Sequence, residues 1–246
     1  MYPAIFPGQE QFKTKMCREA LRFALEGSLK RLQTDYVDIY YLHRIPEGED
    51  LKEIALLYGK LIKEGKIRGW GLSQATPEQI RLAHSVTPLS AVQNEYSMME
   101  RMYQGSLEVC NELGIGFVPF SPMASGFLSG KYTASTKYTG DDVRRVITRF
   151  EPENVRANQP VLDLVHKYAE AKGCTPAQIA LAFTLYLPCS VPIPGMRSDA
   201  RIEENLGAAR VHLTAEEMAA LTAELDKLTI HGNRTDADIG NCCDKF

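Results

Sequence analysis

The stretch Val37-Asp38-Ile39-Tyr40-Tyr41-Leu42-His43-Arg44 runs six β-prone residues into a histidine, and the acidic segment 45–50 with Pro46 and Gly48 follows. Such a run, bounded by turn residues, reads as a strand buried on both faces. In parallel α/β folds, chemistry gathers at the carboxyl ends of strands, so His43 stands where a substrate would be. A lone histidine there is as readily a packing residue. Later strands that also end in polar or aromatic residues shift the balance toward function.

Working outward, segment 15–32 reads as an amphipathic helix with Leu21, Leu25, Leu29 and Leu32 at helical spacing. Residues 1–15, with Pro3, Pro7 and Gly8, read as irregular. After the strand, 51–64 is a helix with apolar positions 51, 54, 57, 58, 61 and 62, ended by Gly65. Segment 66–72 is a second strand ending at Ser73-Gln74, and Thr76-Pro77 opens a short helix to about 85. A third strand, 90–94, leads into Gln93-Asn94-Glu95-Tyr96. Helix 104–113 stops at Gly114, and strand 116–120 runs into a stretch rich in small residues, 121–130.

Segment 131–157 shows no sustained periodicity, and a loop of that length is functional or mobile. Helices at 158–172 and 176–187 precede a fifth strand, 190–193, then a helix at 199–208. Thr214 and Glu217 form a capping box for the last helix, and 230–246 reads as a polar tail. Strands separated by helices imply a parallel sheet, either doubly wound or closed as a (β/α) barrel. No Gly-x-Gly-x-x-Gly follows a strand, which weighs against a doubly wound dinucleotide fold. An eight-stranded barrel takes roughly 250 residues with all its strands; here five are visible.

The 246 residues suit one α/β domain, 1–246, of ordinary soluble composition at 44% hydrophobic and 24% charged. A net charge of -3 argues against a nucleic-acid or anionic-membrane partner. No apolar run approaches the roughly 20 residues of a membrane span, and no signal peptide opens the chain. Cysteines 17, 110, 174, 189, 242 and 243 lack metal-ligand spacing and read as reduced thiols, consistent with a cytoplasmic protein. His84, His166, His212 and His231 show no paired metal-ligand spacing either, so no metal is expected.

A set of motifs resembles the aldo-keto reductase family over about 17–230. They are Gly27-Ser28-Leu29-Lys30-Arg31-Leu32, Asp35-Tyr36-Val37-Asp38 with His43, Gly69-x-Gly71-Leu72-Ser73, and Gln93-Asn94-Glu95-Tyr96-Ser97. Phe120-Ser121-Pro122, Gly126-Phe127-Leu128-x-Gly130, and Pro192-Ile193-Pro194-Gly195 with Arg201, Glu204 and Asn205 complete the series. Each is weak alone; together, in the family's order, they are specific. The resemblance implies a (β/α)8 TIM barrel, NADPH/NADP as cofactor, and reduction of aldehydes or ketones, with a small-molecule carbonyl substrate as partner.

By the same resemblance His43 orients the substrate carbonyl, since a neutral imidazole N–H can polarise that oxygen. Ser73, Gln74 and Gln93 match positions that bind the nicotinamide carboxamide, Gln74 standing where many relatives have Asn. Phe120 stands where many have a stacking Tyr. Ser121, Met123, Ser125 and Gly126 match the loop over the pyrophosphate. Arg197, Ser198 and Arg201 match the 2′-phosphate clamp, with Glu204 and Asn205 at the adenine. The residues support that clamp independently: two arginines at a helix start favour a phosphate.

The family's Asp, Tyr and Lys, which tune and donate the proton, belong to the first three βα units. Met1–Thr14 is too short to hold those units, so the chain reads as an incomplete barrel of about five strands, truncated at its start and inactive alone. Exposed sheet edges would permit self-association. The alternatives are a non-catalytic NADPH-binding sensor, or a fragment that assembles with another chain.

Overall fold

The computed structural model describes residues 18–45 and 48–234. The irregular start at 1–15, Cys17, Pro46 and Glu47 of the acidic loop, and the tail beyond Arg234 with Cys242 and Cys243 lie outside the described residues. The chain forms two compact units, Met1–Asn94 with Tyr103–Val118, and Glu95–Met102 with Pro119–Phe246.

Among the described residues the first unit is built on a four-stranded parallel sheet in sequential order: β1 Val37–Leu42, β2 Ile67–Ser73, β3 Ala91–Gln93 and β4 Gly116–Phe117. Helices α1 Arg18–Leu32, α2 Leu51–Lys63, α3 Pro77–Val86 and α4 Gln104–Leu113 alternate with the strands. The stop and start signals lie where the sequence has them. Asp50 caps α2 through Oδ1 on the Lys52 N–H, and Thr76 and Gln79 close a reciprocal capping box on α3. Gly114, at φ 67°, ends α4 in the left-handed conformation.

Strand β2 is the centre of this unit. Trp70 and Leu72 are fully buried. The Trp70 ring stacks on Tyr58 of α2 at 4.5 Å, and its Nε1 donates to the Thr87 carbonyl at 3.1 Å. Stacking of this kind adds about 1 kcal/mol beyond area burial. Strand β1, by contrast, is not buried on both faces as its composition suggested. It ends the strand order, Asp38 and Ile39 are exposed, and only Leu42 is buried. Leu32 likewise leaves the apolar stripe of α1 and is 62% exposed, whereas Leu21, Leu25 and Leu29 are buried.

The second unit holds α5 Pro152–Ala157, α6 Gln159–Lys172, α7 Pro176–Leu185, α8 Asp199–Gly207 and α9 Ala215–Leu225. Helix α7 is apolar nearly all round, and Ile179, Ala180, Leu181, Ala182 and Phe183 are all buried. The expected fifth strand at 190–193 forms no ladder among the described residues: Ser190 and Ile193 are bridge residues, and Ile193 pairs in parallel with Phe120. Pro192 and Pro194 have no N–H for a ladder, so only the Ile193 N–H reaches across, to the Pro119 carbonyl at 3.0 Å. The fourth strand is shorter than 116–120 for a related reason: Pro119 interrupts it, and Phe120 bridges Glu95 instead.

The segment 131–157, which shows no periodicity in the sequence, is ordered by side-chain packing and ends in the short helix α5. Short 3₁₀ turns at Val143–Arg145 and Thr148–Phe150 precede α5. Tyr132, Tyr138 and Phe150 meet edge-on or tilted at 5.5–6.0 Å, and the Arg144 guanidinium lies 4.2 Å over the Tyr132 ring. Among the described residues no helix is long and apolar enough to cross a membrane.

Candidate functional site

In the first unit the carboxyl ends of β1, β2 and β3 bring candidate residues together. Ser73 is the last residue of β2 and pairs in register with Gln93, the last of β3; Leu42 pairs with Leu72, so His43 lies one step past the same row. Ser73 is 2% exposed, Gln93 is half-buried and His43 is exposed. Gln74 adopts φ 54°, a left-handed conformation that costs a non-glycine residue about 1 kcal/mol. Its N–H donates to the Gln93 carbonyl at 3.0 Å, which ties the strained turn to β3.

Two residues of this region carry no role in the motif reading. Asn94 is fully buried and grips the residue after Gln74: its Oδ1 accepts the Ala75 N–H at 3.0 Å and its Nδ2 donates to the Ala75 carbonyl at 2.9 Å. Arg44 donates through Nη1 to Ser73 Oγ at 3.1 Å and to the His43 carbonyl at 2.6 Å. Both were visible in the sequence only as polar residues flanking strand ends.

In the second unit Phe120 is half-buried, and the Arg234 guanidinium lies 5.1 Å from its ring centroid. Arg234 also pairs with Glu95 at 3.1 Å, and Glu95 is only 4% exposed. Burial pushes the Glu95 carboxyl up from its ordinary value, against the attraction of Arg234 and Arg149. Asn158 and Thr148 hold the backbone of His231 and Asn233, which carries Arg234 to this place. No local signal in the sequence announces a contact between residues 139 positions apart.

The loop after Phe120 is strained. Ser121 (φ 51°), Ala124 (φ 50°), Ser125 (φ 57°) and Gly126 (φ 95°) all take left-handed backbone, three of them with a side chain. The turns are closed internally, Ala124 N–H on the Ser121 carbonyl at 2.8 Å and Gly126 N–H on the Met123 carbonyl at 2.9 Å. At Gly126 a Cβ would lie 3.0 Å from the Tyr132 ring. Met123 is 7% exposed, so its side chain belongs to the core and only its backbone is available to a ligand.

Arg197, Ser198 and Arg201 gather at the start of α8, where Ser198 caps the helix by accepting the Arg201 N–H at 3.4 Å. Arg197 and Ser198 are exposed and Arg201 is half-buried. Asp199 lies in the same first turn and offsets one of the two guanidinium charges. Glu204 pairs with Lys131 at 3.5 Å, and the buried Asn205 donates from Nδ2 to the Gly195 carbonyl at 3.4 Å. Within the first unit a hydroxyl and amide groups at strand ends suit a carboxamide, and within the second two guanidiniums at a helix start suit a phosphate. Among the described residues no cluster of three or more His, Cys, Asp or Glu could hold a metal ion.

The chain is similar to known proteins over most of its length. The chain is 36% identical over 213 residues to probable aldo-keto reductase 1 of Glycine max, covering 86% of this chain and 61% of that protein. It therefore spans less than two thirds of that relative's length. Among solved structures it is similar to the glycerol dehydrogenase of Gluconobacter oxydans, with 25% identity and a TM-score of 0.80 over 89% of this chain and 67% of that one. It is also similar to a thermostable aldo-keto reductase crystallised with the inhibitor epalrestat, with 27% identity and a TM-score of 0.67 over 84% of this chain and 66% of that one. The fold is thus of the TIM-barrel class, with four parallel strands in an open sheet among the described residues. The profile of the Aldo/keto reductase family matches residues 7–226, and the chain belongs to that family.

Proposed function

We propose that this chain serves an NADPH-dependent oxidoreductase reaction, the reduction of aldehydes or ketones to alcohols. The observation that carries the reading is the Ser73–Gln93 register at the carboxyl ends of β2 and β3, with His43 one residue past β1. That row supplies a hydroxyl, an amide and an imidazole for a carboxamide and a carbonyl. The bound dinucleotide would supply the hydride. Ser73, Gln74 and Gln93 would bind its nicotinamide end, and Phe120 would pack against the ring. Ser121, Met123, Ser125 and Gly126 would meet the pyrophosphate. Arg197, Ser198 and Arg201 would hold the 2′-phosphate, with Glu204 and Asn205 at the adenine. His43 would donate a hydrogen bond to the substrate carbonyl.

By the motif reading, His43 is the one member of the family's catalytic set that is assigned in this sequence. Assayed alone, the chain is expected to turn over carbonyl substrates far more slowly than about 1 s⁻¹, because no positioned general acid remains. A second reading follows from the same fact: the chain binds NADPH without reducing anything, as a sensor. A third, assembly with another chain, draws on β1, whose place at the end of the strand order leaves Asp38 and Ile39 exposed.

Fluorescence titration of the purified chain with NADPH, alongside size-exclusion chromatography, tests these readings. Saturable micromolar binding by a monodisperse species supports the cofactor assignment. If turnover near 1 s⁻¹ accompanies it, the expectation of inactivity fails. Absence of binding overturns the cofactor assignment for this chain, and stable self-association without binding supports assembly.

A further inference from the structure

Arg44 reaches the candidate site without holding any of the roles assigned above. Its Nη1 donates both to Ser73 Oγ, at 3.1 Å, and to the His43 carbonyl, at 2.6 Å. A guanidinium has donors only and stays charged throughout the working pH range. Ser73 Oγ is therefore the acceptor in this pair, and its single hydroxyl proton is turned away from Arg44. The bond to the His43 carbonyl tethers the guanidinium to the end of β1, so a long and flexible side chain is held beside the end of β2. Ser73 itself is 2% exposed and cannot reorient freely in solvent.

We propose that Arg44 is a cofactor-positioning residue: it fixes the Ser73 hydroxyl as a donor toward the nicotinamide carboxamide oxygen and sets a permanent positive charge beside that ring. The inference rests on the assignment of Ser73 to the nicotinamide. It carries a consequence that a packing role would not. The reduced ring is neutral and the oxidised ring carries a positive charge, so a fixed cation one hydroxyl away disfavours the oxidised form. Arg44 thus tilts the site toward NADPH over NADP⁺.

Three ligands separate the possibilities: NADPH, NADP⁺, and adenosine 2′,5′-bisphosphate, which has no nicotinamide. Each is titrated by calorimetry against the wild type, Arg44→Lys and Arg44→Met, with thermal unfolding of every variant measured alongside. Arg44→Met is expected to leave bisphosphate affinity within about twofold and to weaken NADPH about tenfold, the loss of one charge-assisted contact. The NADPH-to-NADP⁺ affinity ratio should fall at least about threefold, whereas Arg44→Lys, which keeps the charge, should retain most of that ratio. If Arg44→Met does not fold, Arg44→Gln makes the same neutral substitution. Equal loss for all three ligands, or an unchanged ratio in the neutral variant, overturns the assignment of Arg44 alone. Failure of the wild type to bind any of the three overturns the cofactor reading, and this inference with it.

Discussion

The carboxamide of Asn94 closes both of its hydrogen bonds on one residue, Ala75, taking the N–H at 3.0 Å and giving to the carbonyl at 2.9 Å. Ala75 follows Gln74, whose left-handed φ of 54° makes the turn at the end of β2. Ser106 Oγ adds a second donor to the same carbonyl at 2.8 Å. A strained turn is therefore fixed from one side by a fully buried amide rather than by its own conformational preference.

Asn94→Ala strips that support and leaves a buried N–H unpaired, which costs about 2 kcal/mol. Urea unfolding should show the lower midpoint. Because the turn carries Gln74, NADPH affinity should fall as well, even at temperatures where the variant is fully folded. A variant with wild-type stability would show that water replaces the amide.

Gly71 lies between neighbouring strands with no room for a side chain. A Cβ there would sit 2.7 Å from the Ala91 carbonyl oxygen and 2.5 Å from the Tyr41 ring. Gly71→Ala forces β2 away from β3 and is expected to destabilise the protein by about 3 kcal/mol, the upper end for overpacking. Chemical denaturation checks this, and a loss below about 1 kcal/mol would mean that the Tyr41 ring and the strand both yield.

Arg201 sits half-buried in the first turn of α8, next to the Ser198 cap. Arg201→Ala is expected to weaken NADPH binding about tenfold or more while NADH changes within about twofold, since only NADPH carries the 2′-phosphate. Parallel titrations with the two dinucleotides give the answer. Equal weakening would place Arg201 in the helix start rather than in a phosphate clamp.

Glu95 has a pH signature. Burial raises its carboxyl above the ordinary value, so the folded chain holds this proton more tightly than the unfolded chain does. Stability contributed by the protonated form is present below the unfolded value, near about 4.3, and is lost as pH rises through the higher folded value. The unfolding free energy of the wild type should therefore drop relative to Glu95→Gln as pH rises from about 4. A gap that moves the opposite way would show that the Arg234 ion pair outweighs burial.

Much of the helical framework was legible in the sequence because its signals are local. The apolar spacing of Leu51, Ile54, Tyr58 and Leu61, the Thr76–Gln79 and Thr214–Glu217 caps, and the stop at Gly114 each act within a few residues. The strands were less legible. Composition read the organising strand as buried on both faces, yet among the described residues β1 ends the strand order with Ile39 exposed, and β2, with two glycines in it, holds the core. Burial of a strand depends on what lies on either side of it, which its own residues do not state. The run at 190–193 looked apolar enough to be a strand, but Pro192 within it and Pro194 just after it withhold two ladder donors, and among the described residues it forms isolated bridges only.

The sequence by itself determined the alternation of helices with strands, the family motifs, and which residue types stand at strand ends. Tertiary structure alone decided how those ends are wired: Arg44 onto Ser73, Asn94 onto Ala75, and Arg234 onto Glu95 and Phe120. The division has a physical cause. Helix periods, caps and turn preferences are set by neighbours in the chain, whereas a hydrogen bond across 19, 29 or 139 positions depends on strand register and packing. Those settle only when the core has closed around Trp70 in one unit and helix α7 in the other.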